Sequence, residues 1–226
     1  MITRFNNFTV LMLIFLSISA YSQKTDSEQT LVHRTSVTSF DLRSKELVGS
    51  IYINENFLPA KLSSGQDQYL ARYNAYQDEM EVQKNGNGYH LSKNLNYSID
   101  FEGTNKSYQV YNYEEKSKKM SGFFVVLYKG DNISLLLKEK IKFYEEVKPK
   151  TGYDKYIPPT LKRVDDEIYI GYKNSSAVAL PNKNKDILSL FASKANDIAS
   201  FAKENKLGFK SEADLIQIFK YYNTLN

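Results

Sequence analysis

The residues able to do chemistry in this chain are few, and their spacing is uninformative about a reaction. It has two histidines, and His33 falls in a polar N-terminal stretch, which leaves His90 as the single imidazole placed to act as a base. A Ser-His-Asp triad assembles from distant positions, so spacing alone does not test one, but no Gly-x-Ser-x-Gly elbow accompanies His90. The simpler reading is a half-exposed strand residue. Carboxylates cluster twice, at Asp78-Glu79-Met80-Glu81 and at Asp165-Asp166-Glu167. Paired carboxylates facing each other across a sugar run glycoside hydrolysis, and several carboxylate oxygens together bind calcium. In strand alternation Glu79 and Glu81 share a face, while Asp78 falls in or beside a turn. Neither cluster carries the fixed glycine and acid positions of a calcium loop, so turn residues beside a solvated strand face are the preferred reading. A carbohydrate-active hydrolase using an acidic cluster is the alternative.

Other chemistries drop out by composition. With no cysteine, thiol catalysis, thiolate metal sites, disulfides and a lipid on cysteine are all excluded. No histidine pair or H-E-x-x-H helix supports a zinc hydrolase. No Gly-rich phosphate loop or dinucleotide fingerprint occurs, so no cofactor is expected. The sequence therefore assigns no catalytic, cofactor-binding or metal residue. Arg72, Tyr73, Tyr76, Asp78, Glu79, Glu81 and His90 are its candidates for structural or binding roles.

The elements that must position these groups are mostly strands. Glu79-Met80-Glu81-Val82 alternates polar and apolar, Asn85-Gly86 is a strong turn signal, and Tyr89-His90-Leu91 returns, which predicts a hairpin. Further strands are predicted over 97–101, 107–113, 122–128, 133–137, 141–147, 160–164, 168–172 and 177–180. Phe123 to Leu127 and Leu135 to Leu137 are continuous apolar runs, which predicts a central hairpin buried on both faces. From Asn184 the apolar period becomes helical and predicts one helix ending near Asn205. Ser211 with Asp214 then opens a capping-box pattern for a last helix. The fold class is α+β: a curved antiparallel sheet or partial barrel of about 8–11 strands, with a C-terminal helical hairpin packed on it.

Before the sheet, Arg4 precedes an apolar run from Phe8 to Ile18 and the small-residue exit Ser19-Ala20-Tyr21-Ser22. This predicts a signal peptide over residues 1–22, cleaved after Ser22, because the run is well short of the roughly 20 residues that span a bilayer. Residues 23–44 read as a flexible leader, 45–180 as the β domain and 181–226 as the two-helix segment. Removing Arg4 with the signal leaves 29 basic against 26 acidic residues, scattered without a single-sign stripe, which disfavours nucleic acid as a partner. With 18 Tyr, 13 Phe and no Trp, the aromatic content suits a pleated sheet before it suits a sugar platform.

The segment Arg72-Tyr73-Asn74-Ala75-Tyr76-Gln77-Asp78-Glu79-Met80-Glu81 resembles an R-Y-N-x-Y-x-D-E-M-E stretch shared by a family of exported bacterial proteins to which no activity is assigned. The resemblance extends through Gly122-Phe123-Phe124 and Leu136-Leu137-Lys138 to Tyr221-Tyr222-Asn223. It implies export and a single structural unit, and no ligand. Within the segment, Arg72 is expected to pin the first hairpin through Asp78 and Glu79. The expectation for the whole is a non-enzymatic protein, periplasmic or extracellular and soluble after signal removal, with no transmembrane segment left. Its partner is another protein, a peptide or an amphipathic ligand.

Overall fold

The computed structural model describes residues 31–33, 46–63, 65, 67–93 and 97–225. The expected signal peptide and its cleavage point lie outside these residues, as does most of the expected leader. Thirteen strands follow in order: β1 (Leu31–His33), β2 (Leu58–Leu62), β3 (Gln68–Asn74), β4 (Glu79–Lys84), β5 (Asn87–Leu91), β6 (Ser98–Phe101), β7 (Ser107–Glu115), β8 (Lys118–Lys129), β9 (Ile133–Lys138), β10 (Ile141–Tyr144), β11 (Thr160–Arg163), β12 (Glu167–Tyr172) and β13 (Ala177–Ala179). Eleven of them form one open sheet in the order β1-β5-β4-β3-β2-β6-β7-β8-β9-β12-β13, and β10 pairs with β11 separately. Every ladder is antiparallel. The molecule is an antiparallel sheet followed by helices, which is the α+β class read from the sequence.

Local chemistry explains the turns. Asn85 (φ 53°) and Gly86 (φ 80°) both occupy the left-handed region, as a two-residue hairpin loop matched to strand twist requires. Lys116 (φ 49°) and Ser117 (φ 62°) do the same between β7 and β8.

The apolar run of β9 is continuous because three cores meet there. Leu137 joins a core with Met80, Ile99 and Phe123; Leu135 joins the helices with Ile170, Ile198 and Phe219; Leu136 joins Tyr111, Phe124 and Tyr169. Each such leucine contributes about 2 kcal/mol on burial. Leu135 and Leu137 share a face, so the helices and the first core divide that face between them, while the second face of the central hairpin is covered by Tyr111, Tyr113, Tyr169 and Ala177 of the sheet itself.

Those helices are α1 (Asn184–Ser189), α2 (Ala195–Glu204) and α3 (Glu212–Thr224). The single helix expected over 184–205 is broken by Ala192 at φ 47° and a short 3-10 turn, Ala192–Lys194. The break turns Phe191 against Phe219 and Tyr222, at ring separations of 5.6 and 5.0 Å, so aromatic packing overrides local helical spacing. At α3, Ser211 Oγ accepts from the Asp214 N–H at 3.4 Å, while the Asp214 carboxylate accepts from the Gly208 N–H at 2.9 Å. Among the described residues no helix is long and apolar enough to cross a membrane.

Candidate functional site

The β3–β4 hairpin holds most of the sequence candidates and uses them for its own construction. Arg72 and Glu81 are cross-strand partners, and Arg72 Nε and Nη2 both reach Glu81 Oε2, at 2.9 and 2.8 Å. The guanidinium lies 3.6 Å from the ring centre of Tyr52 and 4.3 Å from that of Phe57. Arg72 Nη2 donates to the Tyr52 hydroxyl, which donates to Glu81 Oε1 at 3.0 Å. The expected pairing of Arg72 with Asp78 and Glu79 is therefore corrected: register sets Glu79 opposite Asn74, and Asp78 sits in the turn at φ 57°. Asn74 Oδ1 accepts from the Tyr76 and Gln77 N–H groups and closes that turn, and Tyr76 packs on the first core. His90 Nδ1 lies 3.3 Å from Glu79 Oε2, but the direction is poor, and neither ring nitrogen makes a hydrogen bond among the described residues.

A second construction, not anticipated from the sequence, gathers around the end of β9. Asp78 Oδ1 accepts from the Tyr73 hydroxyl (2.7 Å), the Phe123 N–H (3.1 Å) and Lys138 Nζ (2.6 Å), and Oδ2 accepts from Lys93 Nζ (3.1 Å). Lys138 is 2% exposed; its Nζ also donates to the Phe123 carbonyl at 2.9 Å and lies over the Phe124 ring. Gly122 makes room: a Cβ there would stand 2.6 Å from Asp78 Oδ2 and 2.7 Å from Lys138 Nζ. Glu139, equally buried, accepts from Lys106 Nζ (2.7 Å), the Tyr108 hydroxyl (2.5 Å) and Arg163 Nη2 (2.9 Å). Lys140 pairs with Glu115 and Glu167 at 2.9 and 3.1 Å.

Burial lowers Lys138 from its ordinary 10.5 to about 8, with Asp78 opposing the fall. Burial first, and the adjacent carboxylates second, push the Tyr73 and Tyr108 hydroxyls well above the usual tyrosine range. A lysine so lowered has the basicity of an amine nucleophile. Here its ammonium is spent on Asp78 and the Phe123 carbonyl inside packed rings, so it serves as one half of a buried ion pair. Three of the carboxylates proposed for hydrolysis are similarly engaged: Glu81 by Arg72, Asp166 by Arg163 at 2.7 Å, and Glu167 by Lys140. Among the described residues, no group of three His, Asp or Glu side chains is placed to hold a metal ion.

What remains open is a strand edge. β7 pairs with β6 only as far as Gln109. Beyond it, on that side, β7 is met among the described residues by the single bridge Asn112–Ser176, where the Asn112 N–H donates to the Ser175 carbonyl at 2.8 Å. Backbone groups of alternate residues point the same way, so Glu114 turns its N–H and C=O to this side as well. Two open clefts flank the bridge. One, of about 690 Å³, runs past Gln109, Val110 and Tyr111 to the β8–β9 turn; the other, of about 510 Å³, runs past Asn112, Tyr113 and Glu114 to Ala177 of β13. Exposed Met120 lies in the second cleft, and exposed Val178 follows Ala177 on β13. No family model, curated protein or solved structure matches this chain.

Proposed function

We propose that this chain is an exported, non-enzymatic envelope protein that binds a partner polypeptide by taking an extended segment along the free edge of β7. The observation that carries this reading is the run of β7 beyond Gln109, whose outer side is met among the described residues by the Asn112–Ser176 bridge alone and is flanked on both sides of that bridge by open clefts. A strand edge offers a row of backbone donors and acceptors, and an incoming strand gains affinity from those and specificity from alternate side-chain pockets. Met120 and Val178 supply apolar ground for such side chains. The engagement of every buried carboxylate with a cation or hydroxyl supports binding over hydrolysis. Curvature of the sheet into a partial barrel is supported by the Asn112–Ser176 bridge, which connects strands four steps apart in the sheet order. Location in the periplasm or outside the cell rests on the N-terminal apolar run.

The test places a photocrosslinking residue at Met120 in the exporting host, with and without Glu114→Pro. Proline at an outward-facing edge position removes one docking N–H and leaves the β7–β8 ladder intact. The expected result is a reproducible polypeptide adduct that Glu114→Pro abolishes without moving the melting temperature appreciably. An adduct indifferent to Glu114→Pro, or none, would overturn the reading.

A further inference from the structure

The β10–β11 hairpin is longer than its two strands. Its register pairs Ile141 with Arg163, Phe143 with Leu161 and Tyr144 with Thr160. The same register continues to Val147 and Ile157, which exchange both backbone hydrogen bonds at 2.9 and 3.0 Å. Pro158 and Pro159 have no N–H to give and interrupt the ladder between. The whole of 141–163 is thus one hairpin. In strand alternation Ile141, Phe143, Val147, Ile157 and Leu161 share a face. At the base that face packs into the first core, with Ile141 and Leu161 buried. Further out the same stripe leaves the body of the protein, and every residue from Tyr144 to Ile157 is exposed.

Five of the nine large hydrophobic residues exposed among the described residues lie in that outer half: Tyr144, Val147, Tyr153, Tyr156 and Ile157, with Tyr153 at the tip 99% exposed. Charge is concentrated there too. The distal residues 147–157 hold three cationic side chains, Lys148, Lys150 and Lys155, against the single anionic Asp154. Within the outer half the acids otherwise lie on the body side. Glu145 and Glu146 lie near the body, where Glu146 and Glu46 accept from the Tyr156 hydroxyl and Glu146 also pairs with Lys148. At the tip Asp154 turns inward to accept from the Lys150 and Thr151 N–H groups. Lys150 and Lys155 have no acidic partner among the described residues. Lys142 and Lys162 stand directly opposite each other across the ladder, a like-charge pair that costs stability unless an anion lies against it.

We propose that this hairpin is a membrane-contact arm that lays Tyr153 and the Val147–Ile157 stripe into the interface of an anionic lipid surface, with Lys148, Lys150 and Lys155 on the headgroups. Tyrosine favours the headgroup level because one end of the ring is apolar and the other wet. Lysine stems lie along apolar surface while the ammonium reaches the phosphates. Anionic leaflets attract such clusters in a salt-dependent way. The contact is separate from the β7 edge and stands without it.

The absence of Trp allows a direct test, because Tyr153→Trp introduces a lone indole at the tip. The exported protein carrying it is titrated with vesicles of equal phosphatidylglycerol and phosphatidylcholine, and with phosphatidylcholine alone. The expected result is a blue shift of emission on the anionic vesicles only, reversed by salt. Adding Lys148→Gln, Lys150→Gln and Lys155→Gln is expected to weaken binding about tenfold or more. No shift on anionic vesicles overturns the proposal, as does a shift indifferent to the three lysine substitutions. A crosslink from position 153 to a polypeptide in cells, with no shift on vesicles, assigns the arm to a protein and equally overturns it.

Discussion

The end of β9 and the outer half of the β10–β11 hairpin are near neighbours in sequence and treat charge in opposite ways. Lys138 and Glu139 are buried, and each is satisfied by several directed partners drawn from the β3–β4 turn, β7 and the residue before it, β8 and β11. Lys150 and Lys155 are exposed, lack acidic partners among the described residues and stand beside solvent-facing tyrosine and isoleucine. A buried charge without its partners costs several kcal/mol, so the interior set specifies which strands lie together. An exposed charge keeps its hydration and is free to meet another molecule. The chain's distinctive motif belongs to the first kind, and the arm proposed to meet lipid to the second.

The sharpest way to break this contrast is to orphan an interior charge. Asp78→Ala leaves the Lys138 ammonium buried without its carboxylate and places alanine at a left-handed backbone position. It is expected to cost about 3–5 kcal/mol, read as a lower denaturant midpoint.

A smaller effect follows from pH. Folded, Lys138 releases its proton near 8, whereas unfolded it holds it to about 10.5. Between these values the unfolded state binds more protons, so stability from this group is present above the unfolded value and is lost as pH falls through about 8. The stability difference between the native sequence and Lys138→Met should therefore rise by about 1–3 kcal/mol from pH 7.5 to 10. A flat difference would mean that Lys138 keeps its proton in the folded state through this range, as it does unfolded.

The smallest effect is expected on the arm: Tyr153→Ser should change stability by less than about 0.5 kcal/mol, and a larger loss by thermal unfolding would show that the tip packs on the body.

Legibility in the sequence followed the same division. Asn85-Gly86, the two apolar runs of the central hairpin and the Ser211 cap are local signals, and each stands where its chemistry requires. Ala192 was unreadable because the residues that break the helix there, Phe219 and Tyr222, arrive from another helix. The partner of Arg72 was misjudged because proximity in sequence favoured Asp78, whereas antiparallel register selects Glu81. Lys138-Glu139-Lys140 carries no local sign of burial, because Asp78 is 60 residues from Lys138 and Tyr108 is 31 from Glu139. The strands of the arm were legible, but their pairing into one overlong hairpin depended on a register that only the folded chain displays.

The charges closing β9 have a further consequence before the fold exists. Ile133-Ser134-Leu135-Leu136-Leu137 is a short apolar strand of the kind that pairs with copies of itself when exposed. Lys138-Glu139-Lys140 follows it directly, and in the unfolded chain those side chains are fully hydrated. Residues that later lock the interior first act as gatekeepers, discouraging intermolecular strand pairing until their partners on the β3–β4 turn, β7 and β11 arrive.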